Sequence, residues 1–176
     1  QYFYGTDSPV NLSDFMRDYL VADGPLYDER ENFADFEAGE GYEYSNTGAA
    51  LMAVLVEEIS GLDFNSYCKQ HIFQPLGMTR TFWKLSETDT TTIVRPYEFK
   101  RGDFLPLQHY TFTDYPNGGL RSNALDLFQF CQAIANEGSF SGGQLLQPTT
   151  VNEMLRLQIS DLDETQGLSF YYLNVS

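Results

Sequence analysis

Histidine, cysteine and positive charge are all scarce in this chain, and each shortage narrows what the protein can be. Two histidines, His71 and His109, and two cysteines, Cys68 and Cys131, are spread over 176 residues. None of them falls at metal-ligand spacing, and two thiols do not make a disulfide scaffold, so no metal site is expected. Ten Lys and Arg face 25 Asp and Glu, a formal net charge of −15. That balance repels phosphate backbones, and the few basic residues are scattered, so nucleic acid is not an expected partner. The longest apolar run, Ala49 to Val56, falls far short of the roughly 20 residues needed to span a bilayer. No membrane segment is therefore expected, and no basic stretch leading into an apolar one is visible as a signal peptide. Repeats and low-complexity tracts are also missing. What remains is 42% hydrophobic and 15% aromatic, the composition of one compact unit that buries about two-thirds of its unfolded surface.

The order of elements follows from periodicity and punctuation. Asn11 or Ser13 is placed to cap a helix with the apolar face Leu12, Phe15, Met16, Tyr19 and Leu20, stopped by Asp23-Gly24-Pro25. A polar loop over roughly residues 25 to 43 follows. From Thr47 to Ser60 apolar residues run nearly all the way round, which predicts a buried helix ended by Gly61. Asp63 then caps a helix over 64 to 72, which Pro75 terminates. Residues 93 to 107 alternate about Arg101-Gly102-Asp103, a hairpin pattern, and Asn117-Gly118-Gly119 reads as a turn. Ser122 or Asn123 caps a helix over 124 to 136, and Pro148 opens another through about Gln158. Gly167 to Val175 reads as a strand. Cys68 shares a helix face with Phe64, Tyr67 and Ile72, and Cys131 one with Leu127, Phe130 and Ile134, so both are expected to be core thiols. The sum is an α+β chain, mostly helical, with little sheet.

One junction carries chemistry. The stretch "AGEGYEYSNTGAALMAVLVEEISG", Ala38 to Gly61, passes from glycine-rich polar sequence into the apolar helix at Tyr44-Ser45-Asn46. In extended backbone residues i and i+2 project to one side, so Tyr44 and Asn46 converge while Ser45 points away. A phenol can act as a base where cations hold it ionised, and a carboxamide both donates to and accepts from a substrate amide. The plainer account is that Ser45 or Asn46 caps the helix and Tyr44 packs on the loop.

Read together with "IFQPLGMTRTFW" (Ile72 to Trp83), Arg95-Pro96-Tyr97, "YPNGGLRSNALDLFQF" (Tyr115 to Phe130), "GGQLLQPTTVNEML" (Gly142 to Leu155) and "QGLSFYY" (Gln166 to Tyr172), the junction resembles the serine β-lactamase and penicillin-recognising family. The likeness is to its branch of class C β-lactamases, D-Ala-D-Ala carboxypeptidases and esterases. The resemblance implies part of a β-lactamase/transpeptidase-like fold: a helical lobe, a short hairpin and a truncated C-terminal strand. It makes Tyr44 the catalytic tyrosine that exchanges protons with nucleophile and leaving group, and Asn46 the substrate-binding asparagine. Gly118 and Gly119 correspond to a structural turn between lobes. It also implies a small-molecule or peptide substrate, no cofactor, and a periplasmic or extracellular setting.

Two family motifs are missing. The S-x-x-K helix expected upstream and the K-T-G or H-x-G strand expected downstream are not in residues 1–176, which makes the chain a single partial domain whose first partner is the remainder of that domain. Ser66 and Lys69 in "NSYCK" share a helix face by spacing. That face also carries Asn65 and Gln70 and is expected to point to water, where a lysine stays protonated, and it follows Tyr44 instead of preceding it. They are rejected as nucleophile and base. The expectation is therefore a serine hydrolase of acyl transfer to which this chain contributes a wall of the site; the alternative is a catalytically inactive binding or scaffold domain of the same fold.

Overall fold

The computed structural model of the protein describes residues 1–173. Helix α1 spans Leu12–Leu20, and its N-terminus is fixed by Asn11, whose side-chain oxygen accepts the Ser13 and Asp14 N–H groups. Such a cap contributes about 1 kcal/mol. Helix α2 spans Asn46–Ser60 between the Ser45 cap and Gly61, which takes the left-handed conformation at φ 70°. Asp63 caps α3, Phe64–Cys68, and the chain continues without a break into a wide π turn over Lys69–Phe73. Strands β2, Tyr97–Lys100, and β3, Asp103–Pro106, form the expected antiparallel hairpin. Arg101 and Gly102 make its turn with positive φ, the requirement of a two-residue hairpin loop. Asn123 caps α4, Ala124–Ala135, and Pro148 opens α5, Pro148–Leu155.

Two strand pairings join distant or short segments. Strand β1, Tyr2–Tyr4, pairs antiparallel with β4, Tyr110–Phe112, in the register Tyr2 to Phe112. After α4 a small hairpin pairs β5, Ser139–Phe140, with β6, Gly143–Gln144. The N-terminal segment is stitched down further by Asp7, whose carboxylate accepts the Leu85 and Ser86 N–H groups at 2.7 and 3.0 Å.

The core has two parts. Leu12 and Met16 of α1 meet Ala50 and Ala53 of α2; Cys68, Phe73, Leu76, Met78, Trp83 and Ala133 form the other. Phe64 and Tyr115 pack against both, and with Trp83 they form an aromatic knot with ring centroids 5.5 to 6.3 Å apart. Glu57 ties the same elements by hydrogen bonds, accepting the Ser13 hydroxyl at 3.1 Å and the Phe64 N–H at 2.8 Å. The α+β, mostly helical architecture is as expected.

Four details differ. Helix α2 is one-sided: Ala50 and Ala53 are buried, yet Met52, Leu55 and Ile59 are exposed, Ile59 at 86%. Its buried face is used by α1 and the Phe64–Tyr115 pair, and no described element covers the other. Cys68 is a core thiol, but Cys131 is exposed, because α4 turns Asp126, Ala133 and Ile134 inward and Cys131 lies a third of a turn away from that stripe. The face of Asn65 and Lys69 is divided: Gln70 is exposed and the Lys69 side chain is 41% exposed, while Asn65 is covered. Asn65 is 4% exposed, since the turn Leu85–Glu87 folds over it and Glu87 accepts from both Asn65 Nδ2 and Lys69 Nζ. Of the segment Gly167 to Val175, Asn174 and Val175 lie outside the described residues; up to Leu173 its strand character is a single antiparallel bridge, Gln166 to Tyr171.

Candidate active-site wall

Tyr44 stands between two anchors. On its C-terminal side Ser45 is extended, at φ −130° and ψ 113°, and its hydroxyl accepts the Gly48 N–H at 2.9 Å to start α2. On its N-terminal side Gly41 lies against the Phe36 ring, where an added Cβ would come within 2.8 Å of ring carbons. The extended backbone puts the Tyr44 and Asn46 side chains on one side. Tyr44 Oη donates to Asn46 Oδ1 at 3.0 Å, and the tyrosine is 65% exposed. The phenol is thus offered to solvent beside the carboxamide, and Ser45 makes the helix cap that the plainer account assigned to this tripeptide.

This geometry defines what the pair can do. The single phenolic proton is directed at Asn46 Oδ1, so the phenol oxygen keeps its lone pairs for an incoming donor, and the Asn46 Nδ2 hydrogens remain for a substrate carbonyl. Breaking the Tyr44 to Asn46 bond to hand that proton elsewhere costs about 1 kcal/mol net. Among the described residues no lysine or arginine donates to Tyr44; the cation that would hold it as phenolate is not supplied by a hydrogen bond here.

Two further tyrosines belong to this surface. Tyr42 Oη donates to Gln166 Oε1 at 2.7 Å and lies 3.0 Å from Tyr171 Oη. The hydrogen bond to Tyr171 is the main cause that pushes the Tyr42 phenol up to about 12, with the negative charge of Asp163 adding to it. Tyr42, Tyr44 and Asn46 alternate in "YEYSN", so the period-two pattern that singled out Tyr44 and Asn46 extends to Tyr42. Gln166 and Tyr171 had no local signal, being more than a hundred residues away in sequence.

Ser66 and Lys69 sit apart from this constellation in their interactions. Asp63 caps the Ser66 N–H at 3.2 Å, and Lys69 Nζ pairs with Glu87 Oε1 at 2.8 Å. Gly119 is buried in a turn so tight that a Cβ would lie 2.9 Å from the Tyr115 carbonyl oxygen, and its N–H donates to that oxygen at 2.7 Å. A cleft of about 700 Å³ is lined by Arg80, Phe82, Asp89, His109 and Arg121 among others, and not by Tyr44 or Asn46. Two of its charged groups are used internally: Thr91 donates to Asp89 and Arg121 donates to the carbonyls of Gly119 and Tyr110. Among the described residues no group of His, Cys, Asp and Glu is placed to hold a metal ion, and no helix is long and apolar enough to cross a membrane.

Comparison with known proteins shows what the chain as a whole is similar to. Penicillin-binding protein 4* of Bacillus subtilis (strain 168) is 30% identical over 122 residues, covering 60% of this chain, and the chain spans only 26% of that relative's length. The octameric penicillin-binding protein homologue from Pyrococcus abyssi superposes with a TM-score of 0.62 at 22% identity, covering 87% of this chain and 36% of that one. D-amino acid amidase from Ochrobactrum anthropi SV3, in complex with L-phenylalanine amide, superposes with a TM-score of 0.55 at 25% identity over 65% of this chain and 33% of that one. The family model described as Beta-lactamase matches residues 2–173, and the chain belongs to that family.

Proposed function

We propose that the chain is part of a serine hydrolase that works through an acyl-enzyme on a β-lactam, an ester or a D-Ala peptide, and that it supplies the Tyr-x-Asn wall of the site. The observation that carries this reading is the exposed Tyr44 phenol held 3.0 Å from Asn46 Oδ1 at the start of α2. A serine and lysine from an S-x-x-K helix outside residues 1–176 complete the centre, with a K-T-G or H-x-G strand opposite. The serine oxygen bonds to the substrate carbonyl carbon and the bond to the leaving group breaks. Tyr44, held as phenolate by the lysine of that helix, takes the serine proton and passes it to the departing nitrogen or oxygen, so that charge and protons balance, and water then releases the acyl group by the reverse sequence. Asn46 holds the amide side chain of the substrate through its Nδ2 hydrogens.

Support comes from the family membership and from the amide bound by the amidase relative named above. It also comes from the bare apolar faces of α2 and α4, where Met52, Leu55, Ile59, Leu125 and Phe128 are exposed. The remainder of a single domain would cover surfaces of that kind, and we place the complete enzyme in the periplasm or outside the cell, with a small-molecule or peptide substrate. The rival reading, an inactive domain of the same fold, draws on the neutral hydrogen-bond partner of Tyr44. Full-length protein decides between them. Tyr44→Phe keeps the ring and removes the relaying oxygen, so turnover of a chromogenic lactam or short-chain ester should fall about a hundred- to ten-thousandfold. Asn46→Ala should lose most on substrates with an amide side chain and little on simple esters. Full activity of Tyr44→Phe on both substrate types rules the proposal out.

A further inference from the structure

Tyr44 is an exposed residue of an irregular segment, and a proton relay needs its oxygen held within a fraction of an ångström. One hydrogen bond to its neighbour Asn46 does not fix the backbone that carries it. The Ser45 cap fixes that backbone on one side. On the other side the first polar anchor is Tyr42, two residues earlier, whose hydroxyl donates to Gln166 Oε1.

The anchor is built from groups that are themselves tied down. Each phenol has one proton. Tyr42 gives its proton to Gln166 Oε1, so Tyr171 donates in turn to the Tyr42 oxygen over 3.0 Å. The result is a directed chain, Tyr171 to Tyr42 to Gln166, whose links strengthen one another. Gln166 is 9% exposed, and its Nε2 donates to the Gly167 carbonyl. Its own carbonyl accepts the Gln158 N–H at 2.9 Å. The loop beyond is bound to the end of α5, with Leu168 N–H to the Met154 carbonyl at 2.9 Å and Tyr172 Oη to the Leu155 carbonyl at 2.7 Å. The end of α5 thus holds Gln166, and Gln166 holds Tyr42.

We infer that Tyr42 is a positioning residue for the reaction: clamped between Gln166 and Tyr171, it fixes the backbone that presents Tyr44 and Asn46. The inference rests on the proposed role of Tyr44. Tyr42→Phe preserves the ring and deletes both links, and it leaves the buried Gln166 Oε1 without its partner.

The test is a double-mutant cycle in the full-length protein, with kcat and KM read on an ester and a lactam. Tyr42→Phe should lower kcat about ten- to a hundredfold, the order expected of slight misplacement, with KM nearly unchanged. Gln166→Ala should give the same kcat loss, and Tyr42→Phe with Gln166→Ala no more than either alone. In a Tyr44→Phe background, Tyr42→Phe should have no further effect on kcat, because the residue it positions is already disabled. A residue that merely stabilises the fold would lower the rate equally in both backgrounds and shift the melting temperature in proportion. If Tyr44→Phe cuts turnover while Tyr42→Phe does not, the clamp is refuted and the role of Tyr44 stands. If Tyr44→Phe is neutral, both ideas fall, whatever Tyr42→Phe does.

Discussion

Asp126→Ala should destabilise the protein by about 3 kcal/mol, a value built from two hydrogen bonds. Asp126 is the third residue of α4 and 7% exposed. Its Oδ2 accepts the Arg80 N–H at 2.7 Å and the Thr81 hydroxyl at 2.8 Å, joining the turn after Met78 to the start of α4. Each hydrogen bond to a charged acceptor contributes about 1.5 to 3 kcal/mol. Thr81 keeps a second partner, the Ser122 hydroxyl at 2.7 Å, so its share lies at the low end. Arg80 N–H loses its recorded partner altogether. A chain of about 150 to 250 residues shifts about 2 to 4 °C per kcal/mol, so the midpoint should fall about 6 to 12 °C, and less if the melting unit is larger. Asp126→Asn keeps a neutral acceptor at the same place and should lose about half as much. Scanning calorimetry on the three proteins reads both values. A midpoint for Asp126→Ala within about 2 °C of wild type, on that same scale, would show that the carboxylate does not join these segments.

Two other outcomes can be checked. Phe64→Ala should cost about 3 to 5 kcal/mol, because its ring packs against both parts of the core. Calorimetry reads the loss, and a midpoint within about 2 °C of wild type would show that the two parts do not depend on this ring. Alkylation of the native protein followed by peptide mapping should label exposed Cys131 before buried Cys68. Burial pushes the Cys68 thiol up from an ordinary 9.0 to about 11, so its contribution to stability is complete below the unfolded value and is lost as pH rises from 9.0 to about 11. Denaturation over that range should fall more steeply for wild type than for Cys68→Ala, and equal slopes would contradict the burial of the thiol.

The parts of the fold that were legible in sequence are those set by neighbours. Asn11, Asp63 and Asn123 cap helices because a short polar side chain reaches an N–H two or three residues on. Gly61 ends α2 because it takes a left-handed conformation without penalty. The Arg101-Gly102 hairpin follows the same logic. What escaped were pairings across long separations: β1 with β4, Asp7 with the Leu85 turn, and Tyr42 with Gln166 and Tyr171. Periodicity states which residues share a stripe but not how wide the covered stripe is, which is why Cys131 and half of α2 were expected inside. Asn65 was misplaced for a related reason, since the Glu87 that covers it lies on a separate turn. At the site, alternation was enough to align Tyr44 with Asn46, while the clamp on Tyr42 depends on partners from the far end of the chain.

The attachment of the first strand bears on how the protein is made. Strand β1 pairs with residues 110–112, Gly5 N–H donates to the His109 carbonyl at 2.7 Å, and the Ser8 and Thr113 hydroxyls meet at 2.8 Å. During synthesis this segment emerges about a hundred residues before any of those partners, and at about 5 to 20 residues per second it waits for several seconds. Helices α1, α2 and α3 can form locally within that interval, because their caps and stops are already present. The Tyr2–Tyr4 stretch cannot. Until Tyr110–Phe112 arrives it is an aromatic segment without the strand partner described here. Closing so large a ring is also slow, because loop entropy is lost before the strand contacts repay it. A slow closure and a segment that lacks its strand partner until late therefore fall on the same few residues.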